Sequence, residues 1–414
     1  MNTQDLPSDA PLCETPAPST VVQAIDRLSS ATLHGARRLF PLSRVRSVCS
    51  WDPALATAIH ALELHGLGES GTFSTEKLGE GRNGAVYLLR AEHRTLVIKT
   101  FAAGDPLGFD GDAANALRRE REALSTLSKY YPSVRLAPEA TNEEEPFILA
   151  QYIDGCSLYA FIEEIALRPS LDLLPLSAEL VRTVIEAMEE SGRIHLDIKP
   201  GNFVLGLNEE GSFSGAKLID WEMSIETPGD AEVVFPHCMG GTLLYAPPEQ
   251  RGGAIQSRTP VFSMGCTLFG LWTGRAFQKL LKEHLGSVFW NAVTRDQAQL
   301  LGHAARFDHS VDSVLAQHFP DGTEREWMGD FLYRMLRHNA CDRITLADAH
   351  TILQARALCH PYGDHDGDAV GEHIRRVLEG RANHAHPIPP PGTERYVLRG
   401  GVDWGAGEGT EVMQ

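Results

Sequence analysis

The amino-acid sequence predicts an α+β fold in two unequal lobes, a small antiparallel β-sheet carrying one helix and then a larger, mainly helical part. Three observations carry this expectation. Residues 73–101, FSTEKLGEGRNGAVYLLRAEHRTLVIKTF, are β-rich runs broken by a Gly-rich turn and an EHR turn, the pattern of three antiparallel strands. One helical segment follows in DAANALRREREALSTLSKYY. After Asp154 the pattern is largely helical, in SLYAFIEEIAL, LSAELVRTVIEAMEE, PVFSMGCTLFGLWTG, KLLKEHLGSVFWNAV and EREWMGDFLYRMLRH.

Taken in order, residues 1–70 form an N-terminal extension. Its first twenty residues are rich in Pro, Ser, Thr and Asp, too polar to bury enough apolar area, so part of it is expected to be disordered. Residues 27–51 hold five arginines and no acid, the composition of an arm that docks on the acidic remainder. A short helix is expected in DPALATAIHALELHGLG. The small lobe then covers 71–153, with a further strand pair expected within APEATNEEEPFILAQYI, and the larger lobe covers 154–358. Residues 359–414 are His-, Gly- and Pro-rich, with PIPPP at 387–391, and read as a mobile tail around one short helix, GEHIRRVLEG.

Composition narrows the function classes. A chain of 414 residues with 43% apolar and 22% charged residues is ordinary globular material. A formal charge of −18 argues against nucleic acid as the main partner, since phosphate-binding surfaces need clustered cations. Seven scattered cysteines with no CxxC pair fit reduced thiols better than a disulfide framework or a zinc site. No apolar run reaches the roughly 18–20 residues of a membrane span, and the N-terminus lacks the layout of a secretory signal. The expectation is a cytoplasmic protein, with a secreted effector as the alternative. The histidines between His360 and His386 lie near Asp364, Asp366 and Asp368 but show no regular ligand spacing.

Several segments carry residues suited to handling phosphate. In Gly79-Glu80-Gly81-Arg82-Asn83-Gly84, followed by Val86, glycines between two strands allow backbone N–H groups to approach a phosphate. Lys99 ends the apolar strand LVIK, an unusual place for an ammonium unless a carboxylate and a phosphate meet it. Glu120 in the following helix is the better partner and Glu122 the poorer, with Leu124 and Leu127 as the helix's inward stripe. The stretch GRIHLDIKPGNFVLG spends one of only seven lysines in the chain, Lys199, between Asp197 and Asn202. There Asp197 is suited to orient and deprotonate a hydroxyl, Lys199 to neutralise a phosphoryl group in transfer, and Asn202 to ligate a metal. Asp220 closes the apolar strand of KLIDWEMS, the natural place for a Mg²⁺ ligand. GTLLYAPPEQ and NACDRITLADA add Thr242, Glu249 and Arg343, the last two expected to pair across the core.

In this order and spacing, these residues make 73–358 resemble the eukaryotic-like serine/threonine protein kinases of bacteria. The resemblance implies the bilobal kinase fold, ATP as substrate with Mg²⁺, and proteins with Ser/Thr acceptors as partners. It implies that Gly79, Gly81 and Gly84 cover the phosphates and that Val86 packs on the adenine. Lys99 then pairs with Glu120, and Ala150, Gln151, Tyr152 and Ile153 form the hinge. Asp197 is implied as the base, Asn202 and Asp220 as Mg²⁺ ligands, and 220–249 as the activation segment. Lys199 and Thr242 match the serine/threonine version of the pattern. Four positions depart from it. Leu196 replaces an arginine that senses activation-segment phosphate, so activity is not expected to depend on phosphorylation there. Glu222 replaces a glycine and adds a third carboxylate, Pro247 replaces an alanine, and Pro260 replaces the aspartate that anchors the catalytic loop, which must be braced otherwise. A small-molecule kinase of the aminoglycoside or choline type, whose metal motif also reads IDWE, and a catalytically impaired scaffold are the competing readings.

Overall fold

The computed structural model describes residues 74–80, 84–91, 94–101, 112–127, 147–167, 172–227, 233–234, 242, 244–251, 254–285, 297–319, 323–359 and 367–384, together with Leu55 and Ala58. The expectations for residues 1–50, for the tip of the Gly-rich turn at 81–83, and for the first strand of the pair within 137–153 lie outside them.

The small lobe is a four-stranded antiparallel sheet in the order β1 (Ser74–Glu80), β2 (Ala85–Ala91), β3 (Arg94–Thr100), β4 (Phe147–Gln151). Alternation in YLLRA and TLVIK puts Tyr87, Leu89 and Ile98 on one face, where they bury with Phe147 and Leu149. Leu55 and Ala58, both helical and the only described residues of the stretch where a short helix is expected, close this cluster from before the sheet. The other face packs on α1 (Asp112–Thr126) through Phe101, Ala116, Leu117 and Ile148. Gly84 is fixed by sterics rather than by turn chemistry. A Cβ there would lie 1.7 Å from the Thr100 carbonyl oxygen, because the start of β2 presses on the end of β3.

A short sheet of β5 (Gly155–Ser157), β7 (Phe203–Leu207) and β8 (Phe213–Leu218) roofs the larger lobe. Beneath it lie α2 (Leu158–Leu167) and α3 (Leu174–Ser191). The strand β6 (Arg193–Ile194) pairs with β9 (Ile225–Glu226), bracketing residues 195–224 between them. Then come β10 (Val233–Val234), α4 (Pro248–Arg251), β11 (Ala254–Ile255), α5 (Thr259–Thr273), α6 (Phe277–Leu285), α7 (Gln297–His318), α8 (Thr323–Met335) and α9 (Leu346–Leu358). One core built around Phe161, Phe203, Trp221, Phe262, Phe269 and Phe331 joins these helices. Leu127 and Ala123 at the end of α1 reach into that core, which links the small-lobe helix to the larger lobe.

The C-terminal region differs from the expected mobile tail. Residues Gly367–His384 form an eighteen-residue helix, α10, longer than the short helix expected. Its Ile374 and Val377 are buried in the large core, against α2 and the β5–β7–β8 sheet. Gly371 lets it approach the backbone of 211–213 to about van der Waals contact. An apolar stripe on a helix must be covered, and here α2 and the β5–β7–β8 sheet cover it.

Candidate active site

Lys99 sits on β3 between Val86 of β2 and Ile148 of β4, so its side chain is delivered to the cleft by two neighbouring ladders. Its Nζ meets Glu120 Oε2 at 2.5 Å, bonds directly to Asp220 Oδ1, and lies 3.4 Å from Glu222 Oε2. Glu120 is 5% exposed, which shows why the helix register had to favour it over Glu122. Glu122 turns instead to Arg193 at 3.2 Å.

Three carboxylates, from Glu120, Asp220 and Glu222, thus converge with ligand oxygens within 4.8 Å of one another. Burial pushes the Glu120 carboxyl up to about 7, with Lys99 opposing and the two neighbouring carboxylates adding to the rise. At Asp220 burial also acts upward, but Lys99 and Lys199 outweigh it and hold the carboxyl below its ordinary range. Lys99 loses some basicity to burial and regains more from Asp220, Glu120 and Glu222, so it stays protonated. The donor set is all oxygen and net anionic, which fits a hard divalent cation such as Mg²⁺.

The segment containing Asp197 is held from several sides. Asp197 Oδ1 accepts from the Thr242 backbone N–H at 2.7 Å, and Oδ2 lies 2.9 Å from Lys199 Nζ. Lys199 also donates to Thr242 Oγ1 at 2.9 Å, so base candidate, lysine and threonine form one closed set. Asn202 Nδ2 donates to Asp197 O at 2.8 Å, which assigns the amide's donor end and keeps its oxygen for another partner. Asn202 O accepts from Ile219 N at 2.8 Å, tying this turn to the residue before Asp220. His195 is fully enclosed, and burial lowers its pKa, so the ring is neutral. Its Nδ1 accepts from Asp197 N at 3.2 Å, which leaves Nε2–H to donate to Ile219 O at 3.1 Å.

Pro260 occupies the first turn of α5, where its missing N–H costs nothing. The bracing expected from elsewhere comes from Gln250, whose Nε2 donates to Leu196 O at 2.8 Å. Sequence reading missed Gln250, since nothing in PPEQ distinguishes it from a surface residue. Leu196 itself is buried with Ile194, Ile225 and Ile255. Arg343 and Glu249 pair in two-pronged fashion at 2.6 and 2.8 Å, and Arg343 is 1% exposed.

Of the other expected residues, Gly79 pairs with Val86 and Glu80 with Ala85 across the β1–β2 hairpin. Gly81, Arg82 and Asn83 lie outside the described residues. Gln151 ends β4, and Tyr152 N donates to Thr95 O before the chain passes through Ile153 to β5. The structure therefore brings Lys99, Glu120, Asp220 and the added Glu222 into one cluster. It brings Asp197, Lys199, Asn202 and Thr242 into a second, joined to the first through Ile219.

Residues 73–362 match the family model described as a protein kinase domain. The serine/threonine-protein kinase PknB of Mycobacterium leprae is 27% identical over 206 residues, which is 48% of this chain and 31% of that protein. The serine/threonine-protein kinase PknJ of Mycobacterium bovis is 31% identical over 206 residues, 48% of this chain and 33% of its own. A probable serine/threonine-protein kinase of Streptomyces coelicolor is 29% identical over 213 residues, 48% of this chain and 29% of its own. The match thus spans about a third of the length of these relatives.

Proposed function

Because the chain belongs to the protein kinase family, we propose that it transfers the γ-phosphoryl group of ATP to serine or threonine hydroxyls of proteins. The observation that carries this reading is Lys99 of the small lobe meeting both Glu120 and Asp220, so that groups from three segments converge on one ligand position. The Lys199–Thr242–Asp197 set supports a protein acceptor over a small molecule, because it ties the base candidate to the activation segment on which a polypeptide would lie.

In this proposal Lys99 grips the α/β-phosphates and Glu120 fixes its direction. Gly79, Glu80, Gly81, Arg82, Asn83, Gly84 and Val86 cover the nucleotide from above, and Gln151 and Ile153 line the hinge. Asp197 aligns the acceptor hydroxyl and takes its proton as the bond to phosphorus forms and the bond to the β-phosphate oxygen breaks. Lys199 offsets the charge on the group in transfer, which matters because such transition states are loose and the protein acts mainly by positioning and electrostatics. Asn202 and Asp220 would hold Mg²⁺, which when bound supplies neutralisation of the phosphate oxygens. The unit that does this is proposed to run over 71–358, with α10 docked against it. A cytoplasmic setting belongs to the same proposal, supported by the scattered cysteines; no described helix is long and apolar enough to cross a membrane.

Purified protein incubated with γ-labelled ATP and Mg²⁺, alone, with a generic protein and with small-molecule acceptors, tests the proposal. Label is expected in protein and is expected to vanish in Asp197→Asn. Label confined to a small molecule overturns it in favour of a small-molecule kinase, and nucleotide binding without transfer overturns it in favour of a scaffold.

A further inference from the structure

Arg193 lies in β6, two residues before His195, and has no role in the chemistry described above. Its side chain is 9% exposed, yet it bonds to two separate elements. Nε donates to Ser224 Oγ at 2.9 Å, and Nη2 donates to Ser224 O at 3.2 Å. Nη1 meets Glu122 Oε2 on α1 at 3.2 Å. Ser224 is 1% exposed and comes four residues after Asp220; Glu122 comes two after Glu120. One guanidinium therefore joins the strand before Asp197, the segment after Asp220 and the helix bearing Glu120. From the other direction Arg119 Nε donates to Glu222 O at 2.5 Å. The helix is thus pinned to residues 222–224 on both sides of Glu120.

Such pinning has a mechanical consequence. A helix held at one point can rotate or swing away, and Glu120 would then leave Lys99. Two bonds flanking Glu120 remove that freedom; the one through Arg193 is charge-assisted, and its Ser224 end is buried. Leu196, buried among isoleucines, offers no cation to an activation-segment phosphate at that position.

We propose that Arg193 is a positioning residue for phosphoryl transfer: it fastens α1 to the segment after Asp220 and keeps Glu120 on Lys99 without a phosphate on the activation segment. The inference rests on the function proposed above.

The test uses the full chain with Arg193→Met, Arg193→Lys, Glu122→Gln and the double variant Arg193→Met/Glu122→Gln. Turnover is measured before and after phosphatase treatment, and amide exchange is followed over residues 112–126. Wild type is expected to keep its kcat after dephosphorylation. Arg193→Met is expected to lose on the order of 10–100-fold in kcat with KM for the protein acceptor unchanged, as misplacement of a catalytic group does. Arg193→Lys should recover part of the loss, and the double variant should equal Arg193→Met, since both changes remove one contact. Exchange in α1 should quicken in step. Wild-type kcat in folded Arg193→Met, or loss of wild-type activity on dephosphorylation, overturns the inference. If Arg193→Met does not fold, Glu122→Gln decides it, because that side chain is 47% exposed; unchanged kcat and unchanged exchange there overturn the inference. Absence of transfer by wild type overturns the functional reading instead, and exchange then still decides whether Arg193 anchors α1.

Discussion

Asp220 is the only non-glycine residue among those described with positive φ, at 71°. A left-handed backbone costs about 1–2 kcal/mol for most residues and less for aspartate. The 3₁₀ turn at Trp221–Met223 follows at once, secured by Trp221 Nε1 donating to Leu218 O and by the Trp221 ring against His195. Because the turn is helical, residue 222 needs no glycine, and its glutamate side chain falls beside Lys99. The resulting crowd of carboxylates sets a pH dependence. The folded value for Glu120, about 7, lies above the ordinary 4.5, so between these values the native chain holds a proton the unfolded chain lacks. Its contribution to stability is full below 4.5 and is lost as pH rises through 7. Glu222→Gln removes one like charge, so without nucleotide it should melt above wild type at pH 8 and differ less at pH 5. A melting difference independent of pH would count against this account.

At the scale of elements, α10 is the part whose role changed most between sequence and structure. Its stripe of Ile374, Val377 and Leu378 was legible as one face of a helix, but periodicity does not say what covers a face. The cover is supplied by α2 and by the β7–β8 turn, where Arg375 donates to Gly211 O. Ile374 is fully buried, so Ile374→Ala should lower unfolding free energy by about 2–5 kcal/mol in denaturant titration. Glu379→Ala, on the exposed side of the same helix, should change it by no more than about 0.5 kcal/mol. Equal effects at the two positions would mean that α10 does not dock in solution. The α1 helix shows the complementary case. Its inward stripe and its choice of Glu120 were both legible, because one and two helical turns separate that residue from Leu124 and Leu127. Its attachment through Arg119 and Arg193 was not, because the partners lie about 70 and 100 residues away.

For the whole molecule, the proposed ligand would sit where the small sheet, α1 and the strand end at Asp220 meet, so binding should be coupled to folding. A ligand at about 100 times its Kd adds about 2.7 kcal/mol to the stability of the state that binds it. ATP with Mg²⁺ should therefore raise the melting temperature by several degrees. Lys99→Met, which removes the cation shared by Glu120 and Asp220, should abolish that rise while the chain stays folded. A wild-type melting temperature indifferent to nucleotide would leave the cleft without its proposed occupant. The large-lobe core and the buried Arg343–Glu249 pair should not respond to the nucleotide, since they lie outside the carboxylate cluster.

By itself the sequence determined the two-lobed α+β plan and the family resemblance, and it proposed the ordered candidate site residues from Lys99 to Asp220. Those properties rest on local periodicity and on motif spacing, both of which a linear chain displays. The tertiary structure decided which distant groups meet. Gln250 braces Leu196 in place of an aspartate at 260, Glu222 joins the carboxylates at Lys99, and Arg193 spans Glu122 and Ser224. Each is a pairing across tens of residues, set by how helices and strands pack. No local pattern encodes it, because the energy of such a contact depends on burial and geometry that exist only once the core has formed.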